Sequence, residues 1–127
     1  MKYSNELKYS KTHEWVKMMD AAACLVGITD YAQSELGGLV FINLPQPADE
    51  AVMGEVLCDV ESVKAVSDII SPVTGTISEV NLELMDSPEM LNDDPFGAWI
   101  VRIDNITATE ELMDGSAYEA FINKGEG

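Results

Sequence analysis

Gly54-Glu-Val-Leu-Cys-Asp-Val-Glu-Ser-Val-Lys-Ala-Val-Ser-Asp-Ile-Ile-Ser-Pro-Val-Thr-Gly75 has the pattern of a β-hairpin, with Lys64 near its middle. Apolar and β-branched residues recur on both sides of the lysine, and a glycine stands at each end of the stretch. The pattern predicts a turn at residues 62–65. It places Lys64 at or beside the hairpin tip, with its amine in water.

Lys64 is isolated from other cations, because none lies between Lys17 and Arg102 apart from Lys64 itself. Its charged neighbours in the stretch are the acids Asp59, Glu61 and Asp68. A phosphate-binding patch needs several cations together, so this pattern does not indicate one. It suits a lysine on which an enzyme forms an amide, which removes the charge. The alternative is a lysine that only keeps a hairpin edge soluble, and spacing alone favours that interpretation.

A resemblance to a known family favours the modified lysine over the lysine that only keeps the edge soluble. The segment Glu-Ser-Val-Lys-Ala-Val-Ser-Asp at 61–68 resembles the lipoylation segment of the glycine cleavage system H-protein family. Further motifs follow in the family's order: His-Glu-Trp-Val at 13–16, Val-Gly-Ile-Thr-Asp-Tyr-Ala-Gln at 26–33, Ser-Pro-Val-Thr-Gly at 71–75, Asn-Asp-Asp-Pro-Phe-Gly at 92–97 and Ala-Tyr-Glu-Ala-Phe at 117–121. The resemblance extends from about residue 7 to residue 122, which is far more specific than one short motif.

The resemblance implies a fold and a function. The fold is mainly β, a barrel-sandwich hybrid of the lipoyl-domain type with short flanking and C-terminal helices, as one domain over residues 1–127. The function is that of a carrier with lipoate attached covalently to Lys64. The arm takes an aminomethyl group from a pyridoxal-phosphate glycine decarboxylase to a tetrahydrofolate-dependent aminomethyltransferase. Dihydrolipoamide dehydrogenase then reoxidises it, and a lipoate ligase or lipoyl transferase attaches it.

The family also folds its loaded arm into a cleft on the carrier. Thr12, Glu14 and Asp68 match positions that line this cleft, where carboxylates suit a cationic aminomethyl nitrogen and exclusion of water protects a hydrolysable cargo. The alternative for Glu14 and Asp68 is that both are ordinary solvated carboxylates of a very acidic chain. Glu61 and Asp68 are equally suited to recognition by the ligase. The sequence leaves these alternatives open.

Related carriers fit the sequence less well. Biotinyl carriers share the hairpin but usually place methionine on each side of the lysine, whereas Val63 and Ala65 stand here. The lipoyl domains of 2-oxoacid dehydrogenases tend to show Asp-Lys-Ala and to belong to longer multidomain chains. A third alternative stays open, namely an H-like relay protein that donates lipoyl or octanoyl groups to other lipoyl domains.

Composition limits the partners. The 127 residues include 23 acids and 7 bases, a net charge of −16 that repels nucleic acid and anionic lipid and favours partners with basic docking faces. No run of about 18 apolar residues is present, and the N-terminus does not have the pattern of a signal peptide. We therefore expect a monomeric cytoplasmic protein without nucleic-acid or membrane partners, or a mitochondrial matrix protein if a transit segment was removed.

The sequence contains no signature of catalysis or metal binding. His13 is the only histidine, and Asp93-Asp94 has the character of a solvated loop. Cys24 and Cys58 lie in predicted strands, without Cys-x-x-Cys spacing, and are expected to be small buried hydrophobes. We expect no enzymatic activity of the chain itself and no metal site.

The remaining elements follow from periodicity and end signals. Strands are predicted at 7–18, 24–28, 39–44, 76–80 and 99–103, and a helix at 29–36 with Thr29 or Asp30 as its cap and Gly37 at its end. The turn at 19–23 lacks the glycine that the family usually has, which leaves its type open. Residues 82–97 are predicted to form a long loop with one helical turn at 88–91. The tail is predicted as a helical turn from Thr107 or Thr109 to Gly115, then a helix with Ser116 and Glu119 as its capping box.

Overall fold

A computed structural model describes residues 3, 4 and 6–124, which form two antiparallel β-sheets and four short helices. The strands are β1 Lys8–Tyr9, β2 Glu14–Asp20, β3 Ala23–Ile28, β4 Leu39–Asn43, β5 Glu50–Ala51, β6 Val56–Ser62, β7 Val66–Ile70, β8 Val73–Val80 and β9 Val101–Thr109. The helices are α1 Asp30–Leu36, α2 Glu83–Asp86, α3 Met90–Asp93 and α4 Gly115–Asn123. One sheet has the strand order β1-β2-β3-β9-β8-β5, and the other has the order β4-β6-β7. The expected mainly β fold with short helices is confirmed.

Both sheets contribute to one apolar core. Val26 and Ile77 of the larger sheet belong to the same buried cluster as Ile42, Val60 and Ile69 of the smaller one. Cys24 and Cys58 are buried in this cluster as free thiols, and burial raises the pKa of each to about 12. This confirms their interpretation as small core residues, since the reactive thiolate is strongly disfavoured.

The lysine hairpin is confirmed, with its turn at residues 62–65. β6 pairs with β7 through Val60↔Ser67 and Glu61↔Val66. The Ser62 N–H donates to the Ala65 carbonyl at 2.8 Å, and the Ser62 hydroxyl accepts the backbone N–H groups of Lys64 and Ala65, each at 3.1 Å. A serine that satisfies the tip's own N–H groups explains why the turn needs no glycine.

Helix α1 also forms as predicted. The Thr29 hydroxyl accepts the Ala32 N–H at 3.1 Å, so Thr29 rather than Asp30 is the N-cap. The capping-box spacing of Asp30 and Gln33 instead produces a bond between their side chains at 2.9 Å. Gly37, at φ 82°, ends the helix in a conformation that residues with a Cβ rarely adopt.

The first predicted strand is interrupted. Residues 10–13 turn between β1 and β2, the His13 N–H donates to the Ser10 carbonyl, and His13 adopts φ 75°. The following hairpin, between β2 and β3, needs no positive φ at Ala21 or Ala22. Its turn is stabilised by the Asp20 carboxylate, which accepts the Ala22 N–H at 2.8 Å. The missing family glycine is therefore without consequence for this turn.

The tail prediction is wrong between residues 107 and 115. β9 continues to Thr109, because β8 begins at Val73, earlier than predicted, and pairs with it as Val73↔Thr109. Helix α4 begins at Gly115, and its cap is the Asp114 carboxylate, which accepts the Ala117 N–H at 2.8 Å, rather than Ser116. The loop at 82–97 contains two short helices, α2 and α3, where one helical turn was predicted.

The start of β2 is fixed by a close approach of two strands. Trp15 is directly opposite Gly27 in the register, is 1% exposed, and donates its indole N–H to the Pro95 carbonyl at 2.9 Å. A Cβ on Gly27 would lie 2.5 Å from two atoms of the indole ring. Only glycine lets the ring cover the strand at this point.

We predict that Gly27→Ala lowers the free energy of unfolding by about 1–3 kcal/mol, because the buried indole has to move away from the new methyl group. Urea denaturation measures the change. Gly38→Ala is the matched control, since a Cβ there has nothing within 4 Å. Equal losses in the two variants would contradict this account of the strand contact.

Candidate functional site

A cleft of about 260 Å³ lies between helix α1, the end of β3, the turn before β2 and strand β7. Its apolar walls are formed by Ile28, Ala32, Leu36 and Ile69, and its other lining residues are Thr12, His13, Glu14, Tyr31, Glu35, Ser67 and Asp68. The three cleft residues of the sequence analysis, Thr12, Glu14 and Asp68, therefore lie around one cavity. Thr12 and Asp68 are exposed. Their part in arm docking remains a prediction.

Glu14 is the buried polar group of this cleft, with 2% of its surface exposed. One carboxylate oxygen accepts the hydroxyls of Ser10, at 2.6 Å, and of Thr12, and the other accepts the backbone N–H of Ile70 at 3.2 Å. Burial raises the pKa of Glu14 to about 7, although these three hydrogen bonds act in the opposite direction. Glu14 is thus not the solvated carboxylate of the alternative interpretation, whereas the exposed Asp68 still fits it.

The backbone around His13 fixes the position of Glu14. The His13 carbonyl accepts the Thr29 N–H at 3.1 Å, which ties the turn to the start of α1. The Glu14 N–H donates to the Ser10 hydroxyl at 2.9 Å, so the same serine contacts both the backbone and the carboxylate of Glu14. Glu14 therefore enters β2 with its side chain held from several directions.

A hydrogen-bonded chain behind the cleft was not predicted from the sequence. The Tyr118 hydroxyl of α4 lies 2.7 Å from His13 Nδ1 and 2.8 Å from the Thr29 hydroxyl. Burial lowers the pKa of His13 and raises that of Tyr118. The tyrosine and histidine are 105 positions apart, and no local pattern connects them. This contact ties the C-terminal helix to the cleft.

Lys64 is exposed at the hairpin tip, as predicted. Its ammonium does not point freely into water, because Nζ donates to the backbone carbonyl of Glu35 at 3.3 Å. Glu35 belongs both to the last turn of α1 and to the cleft lining. The Lys64 amine therefore lies at the rim of the cleft.

Over the described residues, no group of three or more His, Cys, Asp and Glu side chains is arranged to hold a metal ion. Among the helices of that same part of the chain, none combines the length and apolar character needed to cross a bilayer.

The protein-family model described as glycine cleavage H-protein matches residues 7–125. The chain belongs to the glycine cleavage H-protein family. The resemblance deduced from the motifs is confirmed, and the match covers the hairpin, the cleft residues and helix α4 together.

Individual relatives agree with this assignment. The chain is 56% identical over 124 residues to the glycine cleavage system H protein of Lachnoclostridium phytofermentans, with 98% of each chain covered. It is 50% identical to a probable glycine cleavage system H protein of Pyrococcus abyssi, with 95% and 92% covered. The crystal structure of a glycine cleavage system H protein from Mycobacterium marinum superimposes with a TM-score of 0.87 at 37% identity, over 94% of this chain and 98% of that one.

The buried carboxylate of this H-family protein makes stability depend on pH. The pKa of Glu14 is about 7 in the folded state against 4.5 ordinarily, so the folded protein holds this proton more tightly than the unfolded chain. Stability attributable to Glu14 is therefore full below about pH 4.5, falls as pH rises through the interval up to about 7, and stays reduced above it.

We predict that Glu14→Gln removes this dependence, because the amide is neutral at every pH and has an oxygen for the Ile70 N–H. As pH rises from about 5 to about 8, the difference in unfolding free energy between the variant and the wild type should increase in favour of the variant by up to about 3 kcal/mol. Urea titrations at a series of pH values measure the gain. Glu55→Gln, at an exposed carboxylate, serves as the control. Parallel pH profiles for wild type and Glu14→Gln would contradict the raised pKa.

Proposed function

We propose that the chain is a lipoyl carrier of the glycine cleavage system, with lipoamide on Lys64. The arm carries the aminomethyl group from the pyridoxal-phosphate glycine decarboxylase to the tetrahydrofolate-dependent aminomethyltransferase, and dihydrolipoamide dehydrogenase reoxidises it. The observation that carries this proposal is the contact between the Lys64 amine and the Glu35 carbonyl at the rim of a cleft with a buried carboxylate.

The residues present fit a lipoyl group. A lipoate ligase or lipoyl transferase forms an amide between Nζ and an activated carboxyl carbon, with loss of the leaving group and of the lysine's charge. Lys64 is suited to this because its amine contacts a backbone carbonyl, and the product amide keeps one N–H for that same acceptor. The apolar walls at Ile28, Leu36 and Ile69 suit a hydrocarbon arm. The cleft volume lies just below the range that is typical of pockets for small ligands, about 300–1,000 Å³.

When bound, the lipoyl group supplies a disulfide that accepts electrons and a carbon unit. The chain supplies a tether, which raises the local concentration of the arm at each enzyme without new contacts. The cleft supplies walls that exclude water. Glu14, oriented by Ser10 and the Ile70 N–H, supplies a negative charge toward a cationic cargo once it is ionised.

The acidic surface suits the proposed partners. A net charge of −16 favours enzymes that present basic docking faces and speeds their encounter with the carrier. The expected place of work is the cytoplasm of a prokaryotic cell, since the relatives described above are bacterial and archaeal. The carrier is proposed to act there as a monomer.

The relay alternative makes a different demand on the cleft. A protein that hands on uncharged lipoyl or octanoyl groups also needs an accessible Lys64. Because those groups are uncharged, such a protein gains nothing from a buried carboxylate, which lowers the stability of the fold. The buried Glu14 therefore favours a cationic cargo and the glycine cleavage role.

We predict that lipoate ligase with lipoate and ATP adds one lipoyl group to the wild-type protein and none to Lys64→Arg, because arginine has no acylable amine. Intact-mass spectrometry measures the addition. Lys17→Arg, at another exposed lysine, should be modified like the wild type. Modification of Lys64→Arg, or an unmodified wild type with a ligase that acts on a known H protein, would sink the assignment.

We predict that Glu14→Gln loses its aminomethyl cargo to water roughly ten-fold faster at about pH 8, because the neutral amide gives up a charge-assisted interaction. Ammonia release from the isolated loaded carrier measures the rate, and lipoylation of the variant should be normal. The difference should shrink at about pH 6, where the wild-type carboxyl is largely protonated. The same measurement on Asp68→Asn shows whether the exposed carboxylate of the cleft has the same effect as the buried one. Equal rates for Glu14→Gln and wild type at the higher pH would remove Glu14 from this role.

A further inference from the structure

The aliphatic stem of Lys64 crosses directly over Gly37. A Cβ on Gly37 would lie 3.2 Å from Lys64 Cε and 3.7 Å from Nζ. Gly37 also adopts φ 82°, outside the usual range of residues with a side chain. A side chain at position 37 would therefore be in tight contact with the lysine stem, which would have to shift by a few tenths of an ångström.

The turn that contains Gly37 is tied to the hairpin tip. The Val63 N–H donates to the Gly38 carbonyl at 3.1 Å, which connects the residue before the modified lysine to this turn. Asn92 of helix α3 holds the turn from behind. Its amide donates to the Gly37 carbonyl and its oxygen accepts the Leu39 N–H, both at 2.9 Å. The position of the tip relative to α1 is thus fixed by one backbone contact and by the side chain of Asn92.

We propose that Gly37 is a positioning residue for the modified lysine. The absence of a side chain at Gly37 leaves a gap through which the Lys64 stem passes from the hairpin tip to the Glu35 carbonyl. The acylated arm therefore starts at the rim of the cleft rather than in solvent. This inference rests on the proposed acylation of Lys64. It assigns a function to a turn that the sequence marks only as a helix end.

A guide of this kind is needed because a lysine at a hairpin tip has many rotamers and loses entropy when it is held in one. The Glu35 carbonyl is among the last four of α1, which have no partner within the helix. It therefore accepts a hydrogen bond from Nζ before acylation, and from the amide N–H afterwards, without competing with the helix. The gap above Gly37 lets Lys64 Nζ reach the Glu35 carbonyl.

The test compares the lipoylated wild type, loaded with the aminomethyl group, with Gly37→Ala and two controls in the same loaded state. Gly38→Ala adds a methyl group to the same turn, with nothing within 4 Å. Gly54→Ala introduces a side chain at a similar positive φ, 87°, again with nothing within 4 Å. The first control matches the location and the second matches the backbone strain. An effect confined to Gly37→Ala therefore reports on contact with the lysine stem.

The readout is the population of the arm in the cleft, measured by NMR contacts between arm protons and the methyl groups of Ile28, Leu36 and Ile69. Gly37→Ala should lower the ratio of cleft-bound to free arm by roughly two- to ten-fold, the effect of one net hydrogen bond on an equilibrium. Its lipoylation rate should equal that of the wild type, because the amine stays exposed. Both controls should retain the wild-type ratio.

A Gly37→Ala ratio equal to that of Gly54→Ala would overturn the inference, as would a loaded wild type without contacts between the arm and the cleft. Absence of lipoylation in the wild type would instead overturn the proposed function, and the inference with it. If Gly37→Ala fails to fold, Asn92→Asp decides the question. It keeps the acceptor for the Leu39 N–H, removes the donor to the Gly37 carbonyl, and should lower the ratio without a clash at Lys64; an unchanged ratio would overturn the inference.

Discussion

One buried carboxylate joins the two sheets at the point where the cleft forms. Glu14 opens strand β2 of the larger sheet and accepts the Ile70 N–H of β7 in the smaller one. Burying this group disfavours its charged form, as the pKa of about 7 shows, so an apolar residue would stabilise the fold more readily. The proposed function gives this charge a use, since it lies against a cavity that could hold a cationic cargo. The geometry of the site depends on this contact.

The hairpin links that cavity to Lys64, the proposed attachment point. Its tip carries Lys64, and its second strand supplies Ser67, Asp68 and Ile69 to the cleft wall. Helix α1 forms the facing wall, and the Glu35 carbonyl in its last turn accepts a hydrogen bond from the lysine amine. The two elements that shape the cleft therefore also position the Lys64 amine, the proposed site of attachment. The contacts that fold this part of the chain therefore also set the geometry of the proposed carrier site.

Local signals predicted what local interactions determine. The turn at 62–65 and the Thr29 cap follow from hydroxyls that bond to nearby N–H groups, and both appear as expected. The extension of β9 to Thr109 was missed because it arises from pairing with Val73 of β8, a distant segment. The strand break before Glu14 was missed because the local turn at residues 10–13 contains no glycine or proline to mark it. The motifs indicated that Thr12, Glu14 and Asp68 belong to one cleft. The burial of Glu14 and the bond between His13 and Tyr118 depend on tertiary packing, which no local pattern encodes.

The central claim is that Lys64 is the nitrogen that carries the lipoyl arm in living cells. The most direct measurement is a peptide mass spectrum of the protein isolated from cells that are degrading glycine. The account predicts that the peptide containing Lys64 carries one lipoyl group in amide linkage, and that peptides with the remaining lysines carry none. A bare Lys64 under these conditions, or a lipoyl group on another lysine, would contradict it.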